Sequence, residues 1–471
     1  MDADVVVVGG GLSGLVTGYR LHRAGLTVQV LEAAACPGGV IGSERRGGVL
    51  FERGPNNALD NGPAIHDLLD ELGIAAQRVD ARPAAAKRYV VRKGALAALP
   101  RSAAGFITTP LFSTGAKLRL LSEPFVPRAA GTADESIATF VRRRLGTEIL
   151  DVAVEPFVAG IMAGDPERIS LAAALPRLHD LEQRHGSLLR GALATAGERR
   201  RARGGRPAVS FSFRDGMQTL TDALAAAQPG VECGRRVLRV TRAAADFVVE
   251  LEGGGRRRAR AVVMAAPAGA AATMVDTMAP AAAAALAAIP YAPLAVVVAA
   301  YPRDRVSHPL DGFGFLAPAV ERRPLLGTLF CSTLFEGRAD PSTVVLTTFL
   351  GGSRDPEVVD ATDAELRAIV RPELARLLGA SVAPTVDAIT RWHDGLPQYG
   401  FGHLQRIAEV QRAEQALPGL HFCANYRGGA SIGDCVASAS ETAGSIIAAQ
   451  LRGQPGAATP RVVAPALVQA A

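Results

Sequence analysis

The stretch DVVVVGGGLSGLVTGYRLHRAGLTVQVLEA, from Asp4 to Ala33, constrains the fold more than any other part of the chain. Val5 to Val8 form an apolar run without polar alternation, the pattern of a strand buried on both faces in the middle of a parallel sheet. Gly9, Gly11 and Gly14 follow as GxGxxG, then a helical stretch through Arg23 and a second strand, Thr27 to Leu31, ending at Glu32. The glycines serve a tight turn, close approach of backbone to a pyrophosphate, and close packing of helix on strand. The helix start at Leu12 and Ser13 faces the phosphates. Glu32 lies 21 residues beyond Gly11, where a carboxylate accepts hydrogen bonds from a ribose. The strand–turn–helix context predicts a dinucleotide site, and the motif alone does not separate NAD from FAD.

With 471 residues, 48% hydrophobic and 20% charged, the chain is long enough for two or three globular domains. The net charge of +6 comes from dispersed arginines rather than a basic tract with interleaved aromatics. That pattern argues against nucleic acid and fits an acidic small molecule or an anionic membrane surface. Cys36, Cys233, Cys331, Cys423 and Cys435 are scattered without CxxC spacing, so neither a disulfide framework nor a zinc or other metal site is expected. The apolar stretch Ala265 to Pro302 is interrupted by Pro267, Asp276, Pro280, Pro290 and Pro293, and no membrane span is expected. Without a secretory pattern at Met1, the expected location is the cytoplasm, with access to the inner face of the cell membrane.

Gly18, four residues beyond Gly14, and the Gly38-Gly39 pair extend the motif into a pattern that resembles the fingerprint of flavoproteins in the amine oxidase superfamily. The resemblance implies FAD. It has one departure: Cys36 stands where the superfamily carries Arg or Lys, and is read as a small buried filler. In FERGPNNALD the Gly-Pro-Asn-Asn run reads as a turn, and the resemblance puts Gly54, Pro55, Asn56 and Asn57 beside the flavin ring. Strand, Gly-rich loop and helix follow one another in GLHFCANYRGGASIGDCVASASETAG. By the same resemblance a second helix N-terminus points into the cofactor site there, with Asn425, Ala430, Ser431 and Ile432 meeting the flavin and Asp434 as the helix cap. Ser431 replaces the family's second glycine. Val237, at the start of a series of short strands with a turn at Gly253 to Gly255, matches the residue whose backbone meets adenine.

Further segments, among them AAAKRYVVRKGALAALP, IMAGDPE, DGFGFLAP and LPQYGFGHLQRI, resemble in order the landmarks of oxygen-dependent protoporphyrinogen oxidases, from about Val5 to about Ile447. The resemblance implies oxidation of protoporphyrinogen IX to protoporphyrin IX in heme biosynthesis, by three FAD-mediated two-electron steps with O2 as acceptor and H2O2 released. It also implies an apolar cavity, because the flavin carries the chemistry and the protein holds a macrocycle. Arg88 matches the arginine that pairs with a propionate, with Lys87 as an alternative. Gly164 matches a glycine whose backbone faces the macrocycle, and Ala299 and Phe349 match side chains that sandwich the rings. His403 is read as a structural hydrogen-bonding histidine rather than a base. Ser102 to Ala130 resembles the family's amphipathic, membrane-associating helices, and the family also suggests a homodimer.

The expected fold is α/β (α+β): a Rossmann-like FAD-binding domain (1–80, 215–267 and 385–450), a mixed-sheet substrate domain (81–95 and 268–384) and a helical membrane-associating insertion (96–214). Residues 451–471 are expected to be a disordered tail and Gly197 to Gly205 an exposed loop. Competing readings are coproporphyrinogen III oxidation by the same flavin chemistry, a more distant amine or carotenoid oxidoreductase, and a catalytically idle flavin-binding protein.

Overall fold

A computed structural model of the chain describes residues 2–60, 62–129, 134–202 and 208–452. The first sheet explains the valine run. Ala3–Val8 lies between the parallel strands Val28–Leu31 and Arg256–Met264, and the parallel order is completed outside these by Val231–Glu232 and Leu420–Phe422. Val5 and Val7 pack against Leu15 and Val16 of the helix Leu12–Arg23 and Val436 of the helix Ile432–Arg452. Val6 and Val8 pack on the other side with Ala271, Val275 and Leu286. A strand covered on both faces has no position for a polar side chain. The hairpin-linked strands Val237–Ala243 and Asp246–Leu251 extend the sheet antiparallel from the front half of Arg256–Met264.

The second sheet runs in the order Val386–Pro397, Tyr291–Pro302, Thr343–Gly351, Leu325–Phe330, Gly312–Leu316, Lys87–Arg92, Ala95–Ala98. All neighbours are antiparallel except Gly312–Leu316 with Lys87–Arg92. Alternation along Tyr291–Pro302 separates its faces: Ala295, Val297, Ala299 and Tyr301 pack against Leu366, Val370 and Leu374 of the helix Asp363–Leu378. Val296, Val298 and Ala300 face Val49 and Phe51 of the hairpin Ser43–Arg46/Val49–Glu52. Two segments sit elsewhere than the sequence ranges put them. Val386–Pro397 belongs to this second sheet, and Val209–Phe213 pairs with Ala58–Asp60 and Arg78–Asp80 instead of joining the helical insertion. Backbone pairing over long sequence distances decides such membership, and local pattern does not report it.

Between the sheets in sequence lies a helical unit that includes Ala103–Thr108, Thr114–Leu121, Ile137–Arg144, Glu155–Met162, Pro176–His185 and Leu188–Ala202. The last helix continues through Gly197 to Ala202, so that part of the expected loop is helical, because Ala and Arg favour helix. Residues 203–205, Ala130 and 453–471 lie outside the described residues. Among the described residues no helix is long and apolar enough to cross a membrane.

The helical unit is centred on a charge cluster rather than on apolar side chains alone. Arg144 and Glu123 are fully buried, and Glu182 is 1% exposed. Arg144 donates to Glu123 Oε1 at 2.9 Å and from Nε to Glu182 Oε1 at 2.8 Å, while Arg143 Nη1 reaches Glu182 Oε1 at 2.7 Å. Breaking such a cluster from one side leaves a buried charge without its partner. Arg144→Met is therefore expected to destabilise the chain by about 3–5 kcal/mol, read as a lower melting temperature. Burial pushes the Glu182 carboxyl up, but hydrogen bonds from Arg143 and Arg144 outweigh it and hold the pKa below the ordinary 4.5. The stabilisation is thus complete above that value and lost as pH falls below it. Wild type should lose stability in acid more steeply than Glu182→Gln, by denaturant titration across that range.

Candidate flavin and substrate site

The dinucleotide end is built by backbone proximity. Gly9 has φ +112°, and a Cβ there would lie 2.8 Å from Ala265 O, while a Cβ on Gly14 would lie 1.9 Å from Gly9 O. Only glycine fits either position. The helix Leu12–Arg23 starts at Gly11 with no side-chain cap and no acid in its first turn, and the N–H groups of Ser13 and Gly14 have no acceptor among the described residues. Glu32 accepts from Gly10 N and Ala34 N, both at 2.7 Å, one on each carboxylate oxygen, which leaves each oxygen capacity for a hydroxyl. Gly38 N donates to Gly10 O at 2.8 Å, and the positive φ of Gly38 and Gly39 folds the pair against Gly11. Val237 is brought to the same end because Arg235 N donates to Glu32 O and Gly234 N to Ala34 O, each at 2.8 Å. Cys36 is exposed, not a buried filler. It follows the chain's exit from the sheet, where nothing packs over it.

The second helix N-terminus meets the first. Ile432, Cys435 and Val436 share one apolar core with Leu12, Leu15 and Val16. Ser431, not Asp434, is the cap. Its Oγ accepts from Asp434 N at 3.1 Å and donates to Asp434 Oδ2 at 2.6 Å, a reciprocal box in which Asp434 takes the third helical position. Ser431 in place of a glycine thus has a local explanation. Gly429, with φ +117°, passes so close that a Cβ would lie 2.4 Å from Asp434 Oδ2. The N–H groups of Ala430 and Ile432 have no acceptor among the described residues. Two adjacent helix starts with orphan donors form a positive, hydrogen-bonding cradle that suits a pyrophosphate and the polar edge of a flavin.

The Gly54–Asn57 loop runs from this cradle toward the second sheet. A Cβ on Gly54 would lie 2.0 Å from Val40 O. Next to Pro55, Asn56 is 6% exposed, donating to Gly54 O at 3.1 Å and accepting from Cys331 Sγ at 3.3 Å, while Asn57 Nδ2 donates to Ser210 Oγ at 2.9 Å. Apart from Cys36, these groups fit an FAD: a carboxylate for ribose, orphan donors for phosphates, and glycines where backbone must come close.

On the second sheet Arg88 lies with its guanidinium 4.6 Å over the Phe313 ring and has no carboxylate partner among the described residues. Desolvation first, and the neighbouring Arg101 second, lower its pKa. Lys87 is spoken for: it pairs with Asp311, which also accepts from Tyr89 Oη at 2.5 Å. The face beneath Arg88 differs from expectation at one position. Phe349 packs with Val296, Val298 and Leu329, whereas Ala299 is 4% exposed in the core under the helix Asp363–Leu378, on the opposite face. Strand alternation makes it impossible for Ala299 and Phe349 to bracket one ligand, since Ala299 pairs across with Leu346 and Phe349 with Val296. Leu329 and Phe313 are the side chains that share Phe349's side, Leu329 joining both clusters. The signal for Phe313 was present in DGFGFLAP but is scrambled by a register shift at Gly314, whose φ is +149°.

Gly164 is buried behind this face. A Cβ on it would meet Ile169 Cδ1 at 2.2 Å and Gln398 Oε1 at 2.7 Å. The preceding Ala163 has φ +52° and its carbonyl accepts from Ser353 N at 2.7 Å, just past the strand that carries Phe349. His403 is 2% exposed, stacks on Tyr399 with centroids 4.1 Å apart, and bonds Tyr426 O through Nε2 at 3.0 Å. Burial pulls its pKa down to about 4, so it is neutral near pH 7 and holds structure. Asn425 O accepts from Tyr399 Oη at 2.7 Å.

Gly14→Ala is expected to purify without the flavin absorbance band, because its Cβ has no space. Ser431→Ala should keep FAD affinity within about twofold while losing about 1 kcal/mol of stability as a missing cap. A Ser431→Ala protein that is colourless but as stable as wild type would contradict the capping role.

A family model described as flavin containing amine oxidoreductase matches residues 12–447. A mitochondrial protoporphyrinogen oxidase of Nicotiana tabacum is 33% identical over 481 residues, 94% of each chain. A coproporphyrinogen III oxidase of Bacillus subtilis (strain 168) is 27% identical over 92% of this chain and 95% of its own. In fold, a solved structure from Exiguobacterium sp. 255-15 superposes with TM-score 0.81 at 24% identity over 94% of this chain and 98% of that one. With the match spanning nearly the whole chain and the cradle built as described, the protein belongs to the flavin-containing amine oxidoreductase family, with FAD as its cofactor.

Proposed function

We propose that the chain oxidises protoporphyrinogen IX to protoporphyrin IX in heme biosynthesis, removing six hydrogens as three two-electron steps, with three O2 reduced to three H2O2. The observation that carries this reading is Arg88, a guanidinium without a carboxylate partner among the described residues, at the edge of an apolar face formed by Phe313, Leu329 and Phe349. Bound FAD supplies the two-electron acceptor. The chain's own residues bind and orient. Arg88 takes a propionate, bidentate where geometry allows. Phe313, Leu329 and Phe349 cover the flexible macrocycle and exclude water, and the Ala163–Gly164 turn lets backbone approach it closely. Gly9, Gly11, Leu12, Ser13, Gly14 and Glu32 hold the adenosine diphosphate half with Val237 and Gly38-Gly39, and Gly54 to Asn57, Asn425 and Ala430 to Ile432 hold the flavin half. The flavin part, the sheet carrying Arg88 and the helical insertion divide the labour in this reading.

Coproporphyrinogen III is the second reading, and Arg101 is the observation in its favour. It stands near enough to Arg88 to add to the lowering of its pKa, and a substrate with four carboxylates calls for more cations than one with two. Relatives carrying each name support keeping both. The helical insertion exposes Leu118 (62%), Phe125 (82%) and Leu193 (80%), apolar area that suits peripheral contact with a bilayer surface.

The test is porphyrin fluorescence under air from FAD-loaded protein given each porphyrinogen in turn. Faster turnover of protoporphyrinogen IX is expected, and turnover of neither would overturn both readings. Arg88→Ala should lower kcat/KM by about 10–100-fold, mainly through KM, as for a lost charge-assisted hydrogen bond.

A further inference from the structure

The segment Pro397 to His403 crosses from the second sheet to the flavin part, and its side chains reach in both directions. Gln398 is 8% exposed and gives both amide hydrogens to backbone, Nε2 to Met162 O at 2.9 Å and to Leu396 O at 3.1 Å. Met162 ends the helix Glu155–Met162 that delivers the Ala163–Gly164 turn. Gln398 Oε1 has no hydrogen-bond partner among the described residues and, with Ile169, fills the space a Cβ on Gly164 would need. The next residue turns the other way. Tyr399 Oη donates to Asn425 O at 2.7 Å and accepts from Gly429 N at 3.1 Å, bracing both ends of the loop before the helix Ile432–Arg452. His403, stacked beneath Tyr399, holds Tyr426 O in the same loop. The backbone between them is fixed as well: Ser170 N donates to Tyr399 O at 2.9 Å, and Ile169 bridges to Gly400.

We propose that Gln398 and Tyr399 are paired positioning residues that set the separation between the Ala163–Gly164 turn and the flavin loop Asn425–Ser431; this rests on the substrate and flavin assignments made above. Neither side chain need touch substrate or cofactor. Transfer between two bound molecules depends on their separation to well under an ångström, and that separation is only as fixed as the protein linking their sites. Here adjacent residues of one extended segment link them, because successive side chains point to opposite sides. The amide of Gln398 holds the substrate end and the phenol of Tyr399 the flavin end, so each end can be loosened alone.

The experiment uses the FAD-loaded full chain and two variants. Gln398→Met keeps length but removes the amide's hydrogen bonds to Met162 O and Leu396 O; Tyr399→Phe keeps the stack on His403 and removes only the hydroxyl. Porphyrin fluorescence gives kcat/KM for protoporphyrinogen IX, and titration of the apoprotein gives FAD affinity. Gln398→Met is expected to lower kcat/KM about tenfold with FAD affinity within about twofold, and Tyr399→Phe to weaken FAD about fivefold and shift the flavin absorbance band, with KM within about twofold. The proposal is overturned if either variant leaves its own readout within twofold of wild type, or if both variants move both readouts in parallel with a lower melting temperature. Should Gln398→Met not fold, Gln398→Glu keeps the size and reports the same split. If wild type turned over neither porphyrinogen, the proposed function would fail, while the FAD affinity of Tyr399→Phe would still decide the flavin end of the strut.

Discussion

A desolvated ion pair ties the hairpin Ser43–Arg46/Val49–Glu52 to the loop that leads into the strand Thr343–Gly351 of the second sheet. Glu52, 1% exposed, ends the hairpin of the flavin part, and Arg338, 2% exposed, comes from a loop of the second sheet; their charged atoms are 2.6 Å apart. Burial pushes the Glu52 carboxyl above its ordinary pKa, with Arg338 and Ser43 acting against it. Met217 N also donates to Glu52, and Leu50 N to Arg338 O, so three separated stretches of chain meet there. A buried pair of this kind gives little net stability, since desolvation offsets its attraction. Two residues after Glu52 begins the Gly54–Asn57 loop, and Arg338 precedes the strand carrying Phe349, so the pair joins the approach to one to the approach to the other and suits a role in registry.

With that registry set, the site divides its chemistry by position. At one end, two uncapped or serine-capped helix starts, Gly11 and Ser431, concentrate orphan N–H donors where glycines bring backbone close. At the other, ion pairing removes competing cations, as Asp311 does for Lys87, and leaves the guanidinium of Arg88 over Phe313. A polar cradle joined to an apolar face with a cationic edge suits a dinucleotide that must meet a flexible, acidic macrocycle. The segment Gln398–His403 lies where these two environments join: it is polar and glycine-rich, and it buries Gln398, Tyr399 and His403 while Phe401 stays exposed.

Much of the flavin half was legible in the sequence because its requirements are local. GxGxxG, the acid at Glu32, the glycine pair and the loop before Ile432 each need a residue type at a fixed spacing, and the structure brings them together. The cap was misread at Asp434 because Ser431 and Asp434 both suit a cap and only the phase of the helix start separates them. The substrate half was less legible. Ala299 was placed with Phe349, and strand alternation with cross-strand register puts it on the other face; Phe313 was hidden by the register shift at Gly314. Lys87 and Arg88 looked interchangeable until Asp311, more than two hundred residues away, neutralised one of them.

The sequence by itself determined the nucleotide-binding start, the family, and the glycines whose missing side chains admit backbone at Gly9, Gly14 and Gly54, since sterics within a few residues decide those. Only the tertiary structure decided which strands share a sheet, which face of a strand meets the ligand space, which arginine keeps its charge free, and what Gln398 and Tyr399 hold. Those outcomes depend on hydrogen bonds and burial between residues remote in sequence, and no local pattern encodes which remote partner arrives.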